Sequence, residues 1–142
     1  MISITKQVMF EMGHLLPGHK GGCQNSHGHS YKIEVTVKGP QDSNNFDMIV
    51  DFKDLKEAIN KAVPDHKFAY YNKDEISLEL VEILNKYNLK TKEFDFITTA
   101  ENMVGYFAHE IEKDLQSKYP NVYVSKVNLW ETATSFATWE RD

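Results

Sequence analysis

The chain has 142 residues, 41% hydrophobic and 26% charged, with a formal charge of −5, six histidines and one cysteine. That length and balance fit one domain with its own core, and the acidic charge leaves no basic field to gather a nucleic acid. A lone cysteine excludes an internal disulfide and any zinc site needing two thiolates, and no apolar run reaches the roughly 18 residues of a membrane span. The unpaired thiol suggests a reducing, cytoplasmic setting, or a reactive cysteine. The opening segment MISITKQVMF reads as neither a signal peptide nor a tag. With no repeat and no low-complexity linker, residues 1–142 read as a single domain.

Ser3 to Phe10 is compatible with a strand, with Ile4, Val8 and Phe10 on one parity. Pro17 to Gly22 reads as a loop. From His29 the alternation is clear: Tyr31, Ile33, Val35 and Val37 on one face, Lys32, Glu34 and Thr36 on the other, closed by Gly39-Pro40. Met48 to Val50 suggests a short strand. Leu55, Ile59, Ala62 and Val63 recur at helical spacing, which predicts a helix over Lys53–Ala62, ended by Pro64. Leu80, Val81, Leu84 and Tyr87 predict a second helix over Ser77–Asn88. A third runs from Thr98 to about Lys118, with Val104, Phe107, Ala108, Ile111 and Leu115 as its stripe and Thr98-x-x-Glu101 as a capping box. Val122 to Glu131 and Phe136 to Glu140 read as strands paired through a turn near Thr134. Hairpins flanking helices imply an α+β domain with helices on one sheet face.

Three histidines stand out. His27-Gly28-His29 opens the second strand, and residues two apart in a strand share a face, so both imidazoles can reach one ion. A hairpin across residues 15–26 would bring His14 beside them. Three neutral imidazoles leave the fourth position on Zn²⁺ open, the arrangement of a catalytic site. The competing reading is loop histidines without metal. His19 could replace His14, although its PGHKGG setting suits a turn better. His109-Glu110 does not begin HExxH, because Lys113 holds the final position, and Gly13 to Gly18 is followed by His19-Lys20 and so is no phosphate loop.

Cys23 lies four residues before His27. A thiol in the field of Zn²⁺ is driven toward thiolate, which could take a proton instead of ligating; a small buried residue and a fourth ligand are the alternatives. Asp65-His66 follows Pro64 and has the composition of an aspartate-oriented imidazole, or of a solvated helix end. Glu131 at a strand end could accept two hydrogen bonds from the amidine-like edge of a pterin or guanine, or be an exposed acid. For Glu101 the capping box is sufficient.

Together, Phe10-Glu-Met-Gly-His14, Cys23-Gln-Asn-Ser-His27-Gly-His29-Ser-Tyr31, Val50-Asp51-Phe52, Asp65-His66-Lys67, Thr99-Ala-Glu101-Asn102 and Trp130-Glu131-Thr132 resemble the 6-pyruvoyltetrahydropterin synthase / 6-carboxytetrahydropterin synthase family, in family order across nearly the whole chain. The resemblance implies the tunnelling fold: a four-stranded antiparallel sheet with helices on one face, assembled into a barrel-shaped homo-oligomer, commonly a hexamer. It implies Zn²⁺ on His14, His27 and His29. It further implies Cys23 as proton acceptor, and Asp65 with His66 as a relay, often reaching a neighbouring subunit's site. Glu131 becomes a relay or pterin contact, and Thr99 and Glu101 part of the pterin pocket.

Met12, Pro64 and Thr98 depart from alanine, leucine and proline common in the family, and the long 67–97 connection reads as a helical insertion. The implied substrate is 7,8-dihydroneopterin triphosphate. The three-residue gap between Cys23 and His27 resembles the bacterial carboxy branch, which releases acetaldehyde and triphosphate on the path to queuosine. The pyruvoyl branch, which keeps the side chain, is the alternative, and a non-catalytic zinc module is the alternative of another kind.

Overall fold

The computed structural model describes residues 1–142. Ser3–His14 (β1) and His27–Lys38 (β2) form a long antiparallel hairpin in register from Ser3↔Lys38 to His14↔His27. Tyr123–Trp130 (β5) pairs antiparallel with β2, and Phe136–Glu140 (β6) with β5. These are the four antiparallel strands expected. Lys67–Tyr71 (β3) adds parallel to β1, and Thr91–Phe94 (β4) parallel to β3, giving one six-stranded sheet in the order β4-β3-β1-β2-β5-β6.

Three helices complete the fold: Phe52–Ala62 (α1), Glu75–Lys86 (α2) and Ala100–Gln116 (α3). Asp51 caps α1 by accepting from the Lys53 N–H at 2.9 Å, and Pro64 follows its last turn. Asp74 caps α2 through the Ser77 N–H at 2.9 Å. The 67–97 segment therefore holds more than the expected helix: it is a strand–helix–strand unit whose two strands lie parallel, as a helical crossover requires. Strands of five and four residues are too short to display alternation, so periodicity could not reveal them. Met48–Val50 forms no strand; Met48 makes one isolated bridge to Asp42.

The core lies between one sheet face and helices α1 and α3. The inward residues of β2, Tyr31, Ile33, Val35 and Val37, are fully buried and meet Leu55, Ile59, Met103, Phe107 and Ile111 from the helices. Burying each such side chain is worth about 1.5–3 kcal/mol. Helix α2 packs on β3 and β4 through Ser77 and Val81, apart from that core. The other face of the sheet is polar and cross-linked strand to strand: Gln7 donates to Glu34 at 2.7 Å, Asn128 to Glu34 at 3.1 Å, and Thr138 to Asn128 at 2.6 Å.

Candidate metal centre and active site

The β1–β2 register sets His14 directly across from His27 and Met12 across from His29. All three imidazoles therefore fall on the helix-covered face, with ring centroids 4.6, 4.8 and 5.2 Å apart. An added Cβ at position 28 would meet the Met12 carbonyl at 3.3 Å, tighter than an ordinary contact. The backbone that approaches Gly28 is thus that of β1.

The rings are oriented as well as assembled. Nδ1 of His14 donates to the Thr98 carbonyl at 2.9 Å, with the Thr98 hydroxyl at 3.3 Å, and Nδ1 of His27 donates to the Asn25 carbonyl at 2.7 Å. Each such bond leaves the lone pair on Nε2, the nitrogen that faces the cluster. Nε2 of His27 and of His29 are buried with no hydrogen-bond partner. An oxygen of Glu131 lies 2.9 Å from the His29 Nε2 and 3.9 Å from that of His14, off the hydrogen-bonding direction of the former. The three imidazoles and this carboxylate can present one ligand atom each, all within 4.8 Å of one another.

Electrostatics favour the ligand form. Burial lowers the His14 pKa to about 4, and burial also lowers that of His29, so His14 is neutral at pH 7. Neutral nitrogen and carboxylate oxygen at this spacing suit a divalent ion of the zinc type. Tyr31, read from sequence as a core strand residue, brings its hydroxyl to 3.5 Å from the His14 Nε2, and burial holds that phenol far above its ordinary range and protonated.

The remaining expected residues are distributed around this cluster. Cys23 is half-buried in the β1–β2 connection, where its carbonyl accepts from the Leu16 N–H at 2.8 Å, and it is not among the four donors. His19 is exposed and accepts from the Gly21 N–H at 2.9 Å, a turn contact, which leaves His14 as the third imidazole. The capping box is not formed. Thr99, not Thr98, is the N-cap of α3, its hydroxyl accepting from the Asn102 N–H at 3.2 Å, so position 101 is one residue too early to close a box. Glu101 is exposed in the first turn of α3 with no hydrogen-bond partner, three residues after the Thr98 that holds His14. Thr98 itself, buried at 1% exposure, is the positioning residue that sequence reasoning missed. The only signal for it was its departure from the family's proline.

Asp65 and His66 do meet, although neighbours in extended backbone point apart. His66 sits at φ 57°, in the left-handed region, and its Nδ1 lies 2.9 Å from the Asp65 carboxylate. Asp65 also accepts from the Glu11 N–H at 2.9 Å, and that bond, then His66, holds its carboxyl below the usual range. The pair does not join the imidazole cluster. His66 borders a hollow of about 420 Å³ lined by Glu11, Gly13, Gly28 and Ser30, with Met12 and His29 also contributing to its wall. Glu11, Gly13, Gly28 and Ser30 alternate with His14, His27 and His29, so His66 stands toward the reverse side of the sheet.

A sequence profile described as 6-pyruvoyl tetrahydropterin synthase matches residues 3–142. The chain belongs to the 6-pyruvoyl tetrahydropterin synthase family. Among its relatives is the 6-carboxy-5,6,7,8-tetrahydropterin synthase of Haemophilus influenzae, 37% identical over 145 residues and covering 99% of both chains. Another protein of that name, from Aquifex aeolicus, is 37% identical over 125 residues, covering 84% of this chain and 76% of its own. Solved structures share the fold. The 6-pyruvoyl tetrahydropterin synthase of Caenorhabditis elegans superposes with a TM-score of 0.68 at 22% identity, covering 99% of this chain and 96% of its own. An uncharacterised Wolinella succinogenes protein superposes at 0.80 with 18% identity, covering 99% and 98%. The fold of these pterin synthases is thus present in this chain. No helix is long and apolar enough to cross a membrane.

Proposed function

We propose that this chain is a zinc-dependent carbon–carbon lyase that converts 7,8-dihydroneopterin triphosphate and one water to 6-carboxy-5,6,7,8-tetrahydropterin, acetaldehyde and triphosphate, a step toward queuosine and other deazapurines in the cytoplasm. The observation that carries this reading is the convergence of the Nε2 atoms of His14, His27 and His29, two of them buried without a partner. An unpaired buried nitrogen costs about 1–3 kcal/mol, which a bound metal ion removes. His14, His27 and His29 would hold Zn²⁺, which when bound supplies Lewis-acid stabilisation of negative charge on the substrate's side-chain oxygens. The name shared by these two relatives supports the carboxy branch.

The other roles follow from position. Cys23, outside the donor set but in the loop leading to His27, takes the proton from a side-chain carbon. Asp65 fixes the His66 Nδ1, leaving Nε2 to exchange protons with the side-chain hydroxyls. Because that pair faces away from its own cluster, it serves the centre of a neighbouring copy, and the working form is a homo-oligomer, a hexamer by analogy with the family, with sites at its interfaces. Thr99 and Glu101, at the start of α3 beside the centre, bind the pterin. The Glu131 carboxylate, at the edge of the donor set, relays protons or accepts from the pterin N–H edge.

Incubating zinc-loaded protein with 7,8-dihydroneopterin triphosphate tests this. The expected result is acetaldehyde, measured by a coupled NADH assay, with 6-carboxy-5,6,7,8-tetrahydropterin by mass spectrometry. A pyruvoyl product without acetaldehyde would move the chain to the other branch. Glu131 favours a second reading, in which it closes a four-donor structural site; that reading expects bound zinc and no product of either kind.

A further inference from the structure

The Tyr31 hydroxyl ends in the donor cluster, 3.5 Å from the His14 Nε2, and the residue is wholly shut from solvent. Its ring cannot swing away. It is stacked on Phe10 with centroids 5.0 Å and planes 9° apart, and the imidazoles of His29 and His14 lie edge-on at 5.4 and 6.3 Å. A structural residue at this position needs no oxygen, since the next inward residues of the strand, Ile33, Val35 and Val37, are aliphatic.

That oxygen has one hydrogen-bond partner in the chain, the His14 Nε2. Nδ1 of the same ring is committed to Thr98, so Nε2 holds the lone pair that a metal ion would take. With a metal held by His14, His27 and His29, the phenol becomes a buried donor with no acceptor, which is unfavourable. Glu131, the other acceptor at the edge of the cluster, makes no hydrogen bond with the phenol. The acceptor that fits is therefore an oxygen arriving with the ligand.

The geometry points to Tyr31 as a further catalytic residue: its O–H donates to the side-chain oxygen of the pterin substrate that enters the His14–His27–His29 cluster, and the bond strengthens as negative charge grows on that oxygen. A donor locked by stacking is already oriented before charge develops. This inference rests on the pterin reading above and adds a donor to it.

Tyr31→Phe removes the oxygen and keeps the stacked ring. Zinc content by plasma mass spectrometry and the melting temperature are expected to match wild type. Affinity for neopterin, which carries side-chain hydroxyls, should fall about three- to tenfold, while affinity for 6-methylpterin, which has no side-chain oxygen, stays fixed. On 7,8-dihydroneopterin triphosphate, kcat should fall about 10- to 100-fold, with KM changing less. An unchanged kcat and neopterin affinity would overturn the inference. So would equal losses for both pterins, or loss of zinc or fold, each of which assigns the hydroxyl to packing. A wild-type protein that binds neither pterin overturns the substrate reading itself, and a wild type that binds neopterin with an indifferent variant overturns only the role of Tyr31.

Discussion

His14 and His66 lie on opposite sides of the same strand pair and are treated in opposite ways. His14 is fully buried, and one ring nitrogen is fixed by Thr98 while the other faces two further imidazoles. The His66 side chain is 75% exposed and pairs with its neighbour Asp65, itself 49% exposed. The first arrangement is finished within one chain, because the hairpin register assembles it. The second is oriented but has nothing to act on within its own chain, and an oriented imidazole with nothing to act on is half of a site. Burial and convergence mark what one chain completes; orientation with exposure marks what it offers to another.

The largest expected effect is at the finished half. His27→Ala removes a donor and should abolish both zinc retention and turnover. Chelator dialysis of wild type should do the same, with activity restored by Zn²⁺; activity that survives metal removal would break the comparison at its root. Cys23→Ser should separate the two properties, keeping zinc in elemental analysis while turnover falls about 10²–10⁴-fold.

The offered half is tested by mixing. Cys23→Ala and His66→Ala should each be inactive alone. After co-refolding, random assembly of copies should restore about a quarter of wild-type activity, because some interfaces then join an intact Cys23 to an intact His66. No recovery in confirmed mixed oligomers would mean that both residues act within one chain.

Smaller effects probe how the buried ring is held. Thr98→Val removes the hydroxyl at 3.3 Å but leaves the carbonyl at 2.9 Å. Zinc affinity, read by competition with a chromophoric chelator, should therefore fall by less than the roughly 10–100-fold typical of losing an outer partner altogether. A loss as large as that of His27→Ala would mean that the hydroxyl, not the carbonyl, sets the tautomer.

What the sequence disclosed follows the same division. The imidazole cluster was readable because His27 and His29 share a strand parity and a hairpin returns His14 to them. Those are local rules. Glu131 reaches His29 only because β5 pairs with β2 in the register Lys32↔Trp130, a contact across about a hundred residues of chain that no local pattern encodes. The one-residue shift of the α3 cap from Thr98 to Thr99 is likewise set by His14, which draws the Thr98 carbonyl and hydroxyl into the core. The contact between Asp65 and His66 depends on a left-handed φ that histidine does not announce.

The smallest effect expected is on stability at the offered half. Asp65 is held below its ordinary pKa by the Glu11 N–H and then by His66, so its contribution is fully present above the unfolded value near pH 4 and is lost as pH falls through the depressed folded value. Half-exposure screens it, and asparagine retains an oxygen for the Glu11 N–H. Asp65→Asn should thus cost only a few tenths of a kcal/mol, about one or two degrees of Tm at pH 7. That difference should shrink as pH drops below about 4. Turnover should fall far more steeply than stability, because the lost carboxylate orients His66 for a reaction in the neighbouring copy. A Tm loss at pH 7 as large as that of a core truncation would show instead that the pair is part of the fold's own support, and the contrast with His14 would disappear.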